Sequence, residues 1–289
     1  MPDHTLPPQQ DTKAVTISLP PTATRVLEKY GTYHAIFATL FAKSVALASQ
    51  STSATTNEAQ NQVNLAKRQV HELTIESYDA VHQVMPDSDS VRQADAVLIT
   101  GSASSAYEDI PWISNLVEYT SRLPDVNPSL KIFGICFGHQ IVARAFGSTV
   151  ERNAKGWEIG VRSIDLTQVG KDVFGSEQLT VHQMHRDHVP ELPAGFESLG
   201  STKDCSIHGM VRFRKRSDTQ AKQSVLDDID VITLQGHPEF TPDMVNKIID
   251  AREQGKVISK QVADESRQFA LERDQGIEIG RLLLKLLHV

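Results

Sequence analysis

The sequence predicts an α/β protein built on an open, mostly parallel sheet with helices on both faces. Three observations carry that prediction. Apolar runs without alternation, such as Ala94–Thr100 (ADAVLIT) and Lys131–Ile135 (KIFGI), read as short strands buried on both sides. Segments with apolar side chains at helical spacing separate those runs. Glycine or a capping sequence stands at the junctions, at Gly101, at Gly147 and at Thr241-Pro242-Asp243. Alternating strand and helix is the order that gives a parallel sheet with crossover helices.

Taken in order, residues 1–13 are Pro/Gln-rich and are predicted to be disordered. Ala14–Leu19 reads as a first strand, stopped by Pro20 and Pro21. Residues 24–48 read as helical and broken at Gly31. Residues 49–63 (SQSTSATTNEAQNQV) have no periodicity and read as a flexible insertion. Strands follow at Leu73–Tyr78, Ala94–Thr100, Lys131–Ile135 and Val231–Leu234. Helices are expected at Ile113–Leu123 and Gly138–Phe146, and from Thr241 as N-cap with Pro242 at the first helical position. The loop around Ser217–Asp230 reads as extended, and Glu265–Leu287 as one long amphipathic helix. Residues 14–289 are thus expected to form a single domain with a C-terminal helical extension from about residue 263.

The 289 residues are 39% hydrophobic and 22% charged, with a net charge of -7. Phosphate binding needs clustered cations, so this balance argues against nucleic acid as a partner. The short Arg212–Lys215–Arg216 patch reads as a solvated loop. No run reaches the roughly 18 apolar residues of a membrane helix. The N-terminal stretch lacks a secretory apolar core. Two cysteines, Cys136 and Cys205, cannot make a disulfide framework and fit a reducing, cytoplasmic setting.

The strongest local signal is Gly134-Ile135-Cys136-Phe137-Gly138-His139-Gln140. It places a cysteine between a strand end and a helix start, with glycine two residues to either side. Such a turn strains the backbone, exposes the sulfur at the carboxyl edge of the sheet and aims a helix N-terminus at it. Taken alone, the frame also suits a buried structural cysteine. Cys205 has no glycine frame and reads as structural, as does His139, which a helix would turn away from the sulfur.

A thiol nucleophile needs a base, and the base needs an orienting group. Gln235-Gly236-His237-Pro238-Glu239-Phe240 offers both, directly after the strand Val231–Leu234 and hence at the same sheet edge. His237 and Glu239 can face each other across a rigid turn. The run VHQMHRDHV, with His182, His185, Asp187 and His188, is rich in metal-ligand types. It has neither a thiolate pair nor the spacing of a helical zinc motif, so no metal is expected there. His185 and Asp187 read instead as pocket wall.

With GICFGHQ and QGHPEF in this order, the sequence resembles the class I (triad) glutamine amidotransferase family, over roughly residues 90–250. The stretches TGSASSAYED, GWEIG and HQMHRDHV are similar to its stand-alone, GMP-synthetase-like subgroup, which includes plant γ-glutamyl peptidases and fungal members, some in specialised-metabolite pathways. The resemblance implies the flavodoxin-like open sheet of that family. It implies Cys136 as nucleophile, His237 as base and Glu239 as third member. Gly101, Ser102 and Phe137 would border the oxyanion, and Gln140, Trp157 and His185 the substrate. The substrate implied is a small γ-glutamyl compound, glutamine or a γ-glutamyl peptide, with no cofactor. A separate synthetase or pathway enzyme would accept any ammonia. Where the family often has Pro-Gly-Gly, this chain has Gly101-Ser102-Ala103, which implies a donor less strictly limited to glutamine. The alternative is a catalytically silent binding or scaffold protein that keeps the fold.

Overall fold

A computed structural model describes residues 12–18, 24–53, 73–214 and 225–289. Its strands are β1 (Thr12–Ser18), β2 (Leu73–Asp79), β3 (Ala96–Ile99), β4 (Lys131–Ile135), β5 (Glu151–Arg152), β6 (Glu158–Leu166), β7 (Gln178–His185), β8 (Asp187–His188), β9 (Glu197–Ser201), β10 (Gly209–Phe213) and β11 (Ile229–Leu234). Its helices are α1 (Thr24–Tyr30), α2 (Tyr33–Ser53), α3 (Ser88–Gln93), α4 (Pro111–Val126), α5 (Phe137–Ala145), α6 (Gln168–Phe174), α7 (Pro242–Gln254), α8 (Lys260–Phe269) and α9 (Gly276–Leu286).

The main sheet has the order β2-β1-β3-β4-β11-β10-β9-β6-β7. Pairing is parallel from β2 through β11, the half that carries both sequence motifs. It is antiparallel from β11 to β7. Side-chain alternation divides the core between the two faces. Ala96 and Leu98 of β3, Phe133 of β4 and Ile232 of β11 pack toward α2, α7 and α9. Val97, Ile99, Ile132 and Val231 pack toward α3, α4 and α5. The architecture is therefore the α/β fold with helices on both faces that the sequence predicts.

The local signals explain several boundaries. Gly31, at φ +77°, separates α1 from α2. Thr241 caps α7 by accepting from the Met244 N–H at 3.4 Å, with Pro242 in the first turn.

Other expectations need correction. Residues 12 and 13, expected to be disordered, belong to β1; residues 1–11 lie outside the described residues. Helix α2 continues through residue 53, into the expected insertion, whose remainder lies outside the described residues. Within the expected loop, Val225–Asp228 is a short 3-10 turn and β11 starts at Ile229. The expected long C-terminal helix is two, α8 and α9, because the chain turns at 270–275. There the Gln275 N–H donates to the Thr180 carbonyl of β7 at 2.8 Å, and its side chain accepts from the Thr180 N–H at 2.8 Å. Arg212 lies in β10 rather than a loop and makes two hydrogen bonds to Asp230, at 3.1 and 2.9 Å.

One of the tightest points of the fold is the crossing of α5 over β3. A Cβ on Gly138 would sit 2.0 Å from the Ile99 carbonyl oxygen, and one on Gly134 would sit 2.7 Å from the Gly138 oxygen. Only backbone fits there. Gly138→Ala is expected to destabilise the protein by about 3 kcal/mol, the upper end for overpacking. Urea unfolding measures it, and a loss below about 1 kcal/mol would contradict the contact.

Candidate active site

Strand β4 ends one residue before Cys136, and α5 begins one residue after it. Cys136 therefore turns the chain within a single residue, at φ 53° and ψ -101°. A non-glycine residue at positive φ costs about 1–3 kcal/mol and persists only where the surroundings impose it. The imposed contacts are visible: the Cys136 N–H donates to the Leu234 carbonyl at 2.8 Å, and its carbonyl accepts from the Gln140 N–H at 3.1 Å. The sulfur is thus held at the carboxyl edge, over the first turn of α5, where backbone N–H groups have no partner within the helix.

Parallel pairing brings the second motif to the same place. Leu234 of β11 lies opposite Ile135 of β4. Past β11, the His237 N–H donates to the His182 carbonyl at 2.8 Å, tying the turn to β7. Gly236 makes this close approach possible, since a Cβ there would lie 2.6 Å from the Gln183 amide nitrogen. His237 Nδ1 then meets Glu239 Oε1 at 2.7 Å, and the ring stacks on Phe240 at 3.9 Å. The Cys136 sulfur lies beside the same imidazole and helps it hold its proton. Both His237 and Glu239 are buried. Burial disfavours the charged imidazole, but the Glu239 carboxylate and the Cys136 sulfur outweigh it, and the His237 pKa is raised to about 10.

Cys136 opens into a cavity of ≈ 160 Å³. Ser102, Phe137, Gln140, Trp157 and His185 all lie on its wall. Gly101 is packed beside His237 instead: a Cβ there would lie 2.8 Å from His237 Cε1. Ser102 Oγ accepts from the Ser104 N–H at 3.2 Å. The Gln140 amide donates to the Asp187 carbonyl and to Gln235 Oε1, both at 3.0 Å, which fixes the wall. His139 is turned away toward Thr233, 2.8 Å from its hydroxyl, and burial lowers its pKa to about 3. A larger cavity of ≈ 360 Å³ lies beyond Glu239, between α2 and α9. Cys136 does not line it, so the smaller space is the one where sulfur chemistry can occur.

Two residues escape sequence reasoning. Arg186, at the end of β7, and Arg252, on α7, both line the cavity. Their guanidinium carbons lie 5.2 and 4.7 Å from the Trp157 ring. The Nε of each is buried and lacks a hydrogen-bond partner among the described residues. Two like charges against one indole, with idle donors, could receive an anionic group. Arg186 stands inside the VHQMHRDHV run, where a wall function was legible. Arg252 had no local signal, because only the packing of α7 turns it inward. The other members of that run disperse: His182 faces Asp274 at 3.6 Å, and His188 faces Glu151 at 3.5 Å.

The family model for class I glutamine amidotransferases matches residues 54–250. A glutamine amidotransferase-like protein of Schizosaccharomyces pombe is 35% identical over 191 residues, 66% of this chain and 69% of that one. Gamma-glutamyl peptidase 3 of Arabidopsis thaliana is 29% identical over 189 residues, 63% and 69% of the two chains. Among solved structures, a glutamine amidotransferase from Thermotoga maritima superposes with a TM-score of 0.61 at 16% identity, covering 97% of this chain and 100% of that one. This last similarity shows a shared fold.

The raised pKa fixes a sign for pH dependence. His237 holds its proton more tightly in the folded chain, at about 10, than free imidazole does at about 6.5. The stability this contributes is fully present below about pH 6.5 and is lost as pH rises through about 10. Imidazole nitrogen NMR is expected to find the His237 ring charged at about pH 8. Glu239→Gln is expected to bring its titration down toward neutrality. A neutral ring at that pH in the unaltered protein would contradict the arrangement.

Proposed function

The chain belongs to the class I glutamine amidotransferase family, and from that premise we propose that it cleaves a γ-glutamyl amide through a thioester on Cys136. The observation that carries this reading is the buried sulfur–imidazole–carboxylate series, Cys136 to His237 to Glu239, whose sulfur end opens into a small cavity. A charged imidazole beside a thiol favours the thiolate nucleophile. The sulfur attacks the γ-carbonyl carbon, and the carbonyl electron pair moves onto oxygen. The backbone N–H of Phe137, opening α5, receives that oxyanion. His237 passes its proton to the departing nitrogen as the C–N bond breaks, leaving the glutamyl thioester. It then takes a proton from water, which attacks the thioester carbon, and the Cys136 sulfur leaves with glutamate released. Glu239 holds the ring in one tautomer and balances its charge throughout.

The donor's free amino-acid end explains the rest of the wall. Its α-carboxylate fits the Arg186–Arg252 pair, and its α-ammonium fits Asp187, whose carboxylate accepts from Ser105 Oγ at 2.6 Å. That pattern selects γ-glutamyl compounds over ordinary peptide amides. The Gly101-Ser102-Ala103 turn and the relatives named gamma-glutamyl peptidases support donors beyond free glutamine. Use of glutamine, with ammonia passed to a separate synthetase, is the second reading, supported by the fungal relatives' name. Both cysteines are free, which suits a reducing cytoplasm. A silent scaffold has no use for a strained cysteine or a buried charged pair, both of which cost stability.

Two variants test the reading against a panel of glutamine and γ-glutamyl peptides. Cys136→Ala is expected to lower hydrolysis of every member by about 10⁴-fold or more; retained activity would end the proposal. Arg252→Ala is expected to raise KM about 10–100-fold, the worth of one charge-assisted hydrogen bond, with kcat changed only a few-fold. An unchanged KM would remove the arginine pair from donor recognition.

A further inference from the structure

Beside the cavity, and separate from the sulfur–imidazole–carboxylate series, four buried side chains converge. They are Glu158 at the start of β6, His185 at the end of β7, Cys205 in the loop before β10 and His208 next to it. One ligand-type atom from each lies within 4.8 Å of all the others. We propose that these four residues form a four-coordinate structural site for zinc or a similar borderline divalent ion.

The donor set is one of imidazole, thiolate and carboxylate, the types that zinc takes in closed tetrahedral sites. Tetrahedral bonds of about 2.0–2.3 Å put ligand atoms roughly 3.3–3.8 Å apart. His185 Nε2 and His208 Nε2 already stand 3.2 and 3.0 Å from Glu158 Oε2, so adjustments of about 1 Å complete the sphere.

Proton placement points the same way. His185 Nδ1 lies 3.2 Å from the Asp187 carbonyl oxygen, which can only accept, so that nitrogen carries the hydrogen. If the ring is otherwise neutral, its Nε2 is bare. It is buried, lacks a hydrogen-bond partner among the described residues, and faces a carboxylate oxygen. Two lone pairs aimed at each other are repulsive, and a cation between them reverses the sign. A metal-bound imidazole that donates its other N–H to a backbone carbonyl is the usual supporting arrangement. Glu158 is oriented likewise, since Oε1 accepts from the Thr202 hydroxyl at 2.8 Å.

Charge balance adds to this. A divalent ion that displaces the thiol proton leaves a neutral buried unit: two positive charges against one carboxylate and one thiolate. The ion would tie β6, the loop before β10 and the end of β7 together. Through His185 it would brace the strand end that carries Arg186 and Asp187.

The chain's two cysteines make the test clean. In Cys136→Ser protein, Cys205 is the sole thiol. That protein, dialysed against zinc and then against metal-free buffer, is expected to retain about one zinc per chain by elemental analysis. Loaded with cobalt(II), it is expected to show a sulfur-to-cobalt charge-transfer band, and Cys205 is expected to resist a thiol reagent until a chelator is added. The added substitutions Cys205→Ser and His208→Ala are each expected to abolish the band. Folded Cys136→Ser protein that binds neither ion would overturn the proposal and leave a hydrogen-bonded cluster. A band that survives Cys205→Ser would overturn it too, by placing the metal elsewhere. Should either added substitution prevent folding, the zinc stoichiometry and cobalt spectrum of Cys136→Ser protein decide alone.

Discussion

The arrangement depends on one pairing, the parallel alignment of β4 with β11. Parallel strands end at the same edge of a sheet, so residues that follow them in the chain meet there however far apart they are in sequence. Leu234 opposite Ile135 fixes the register, and the Cys136 N–H extends it by one more bond to the Leu234 carbonyl. A slip of one residue would turn the β11 side chains to the wrong face of the sheet and break the core on both sides. The hydrophobic register that stabilises the fold therefore also sets the distance between the sulfur and its imidazole.

Around that edge the protein accepts local costs. Cys136 is held at positive φ, and Gly138 lets α5 lie against the Ile99 carbonyl. The Glu239 carboxylate is buried, with Oε2 unpartnered among the described residues. A buried carboxylate is tolerable beside a charged imidazole and costly beside a neutral one. The raised pKa of His237 and the burial of Glu239 are thus two sides of one interaction. The cavity wall repeats the theme with Arg186 and Arg252, two cations whose mutual repulsion an anionic donor group would relieve.

Much of this was legible in the sequence, and the limits have physical causes. The strand at Lys131–Ile135, the glycines around Cys136 and the cap at Thr241 are local signals, and the structure keeps them almost to the residue. The antiparallel half was largely illegible. β6 (EIGVRSIDL) and β7 (QLTVHQMH) mix polar residues into buried positions, because one end of each borders the cavity rather than a plain apolar core. Arg252 could not be found, since its inward direction is a property of how α7 packs. The Glu158, His185, Cys205 and His208 cluster draws its members from β6, β7 and the loop before β10, so no spacing in the chain announces it.

The central claim is that Cys136, and not another group, carries the glutamyl unit between its donor and its acceptor. Acid quenching during turnover of a γ-glutamyl donor, followed by peptide mapping in the mass spectrometer, observes this directly. The account predicts a glutamyl adduct on the peptide containing Cys136, absent from Cys136→Ala protein and removed when the unquenched enzyme is left to complete its turnover. Turnover with no adduct on that peptide, or an adduct on the Cys205 peptide, would contradict it.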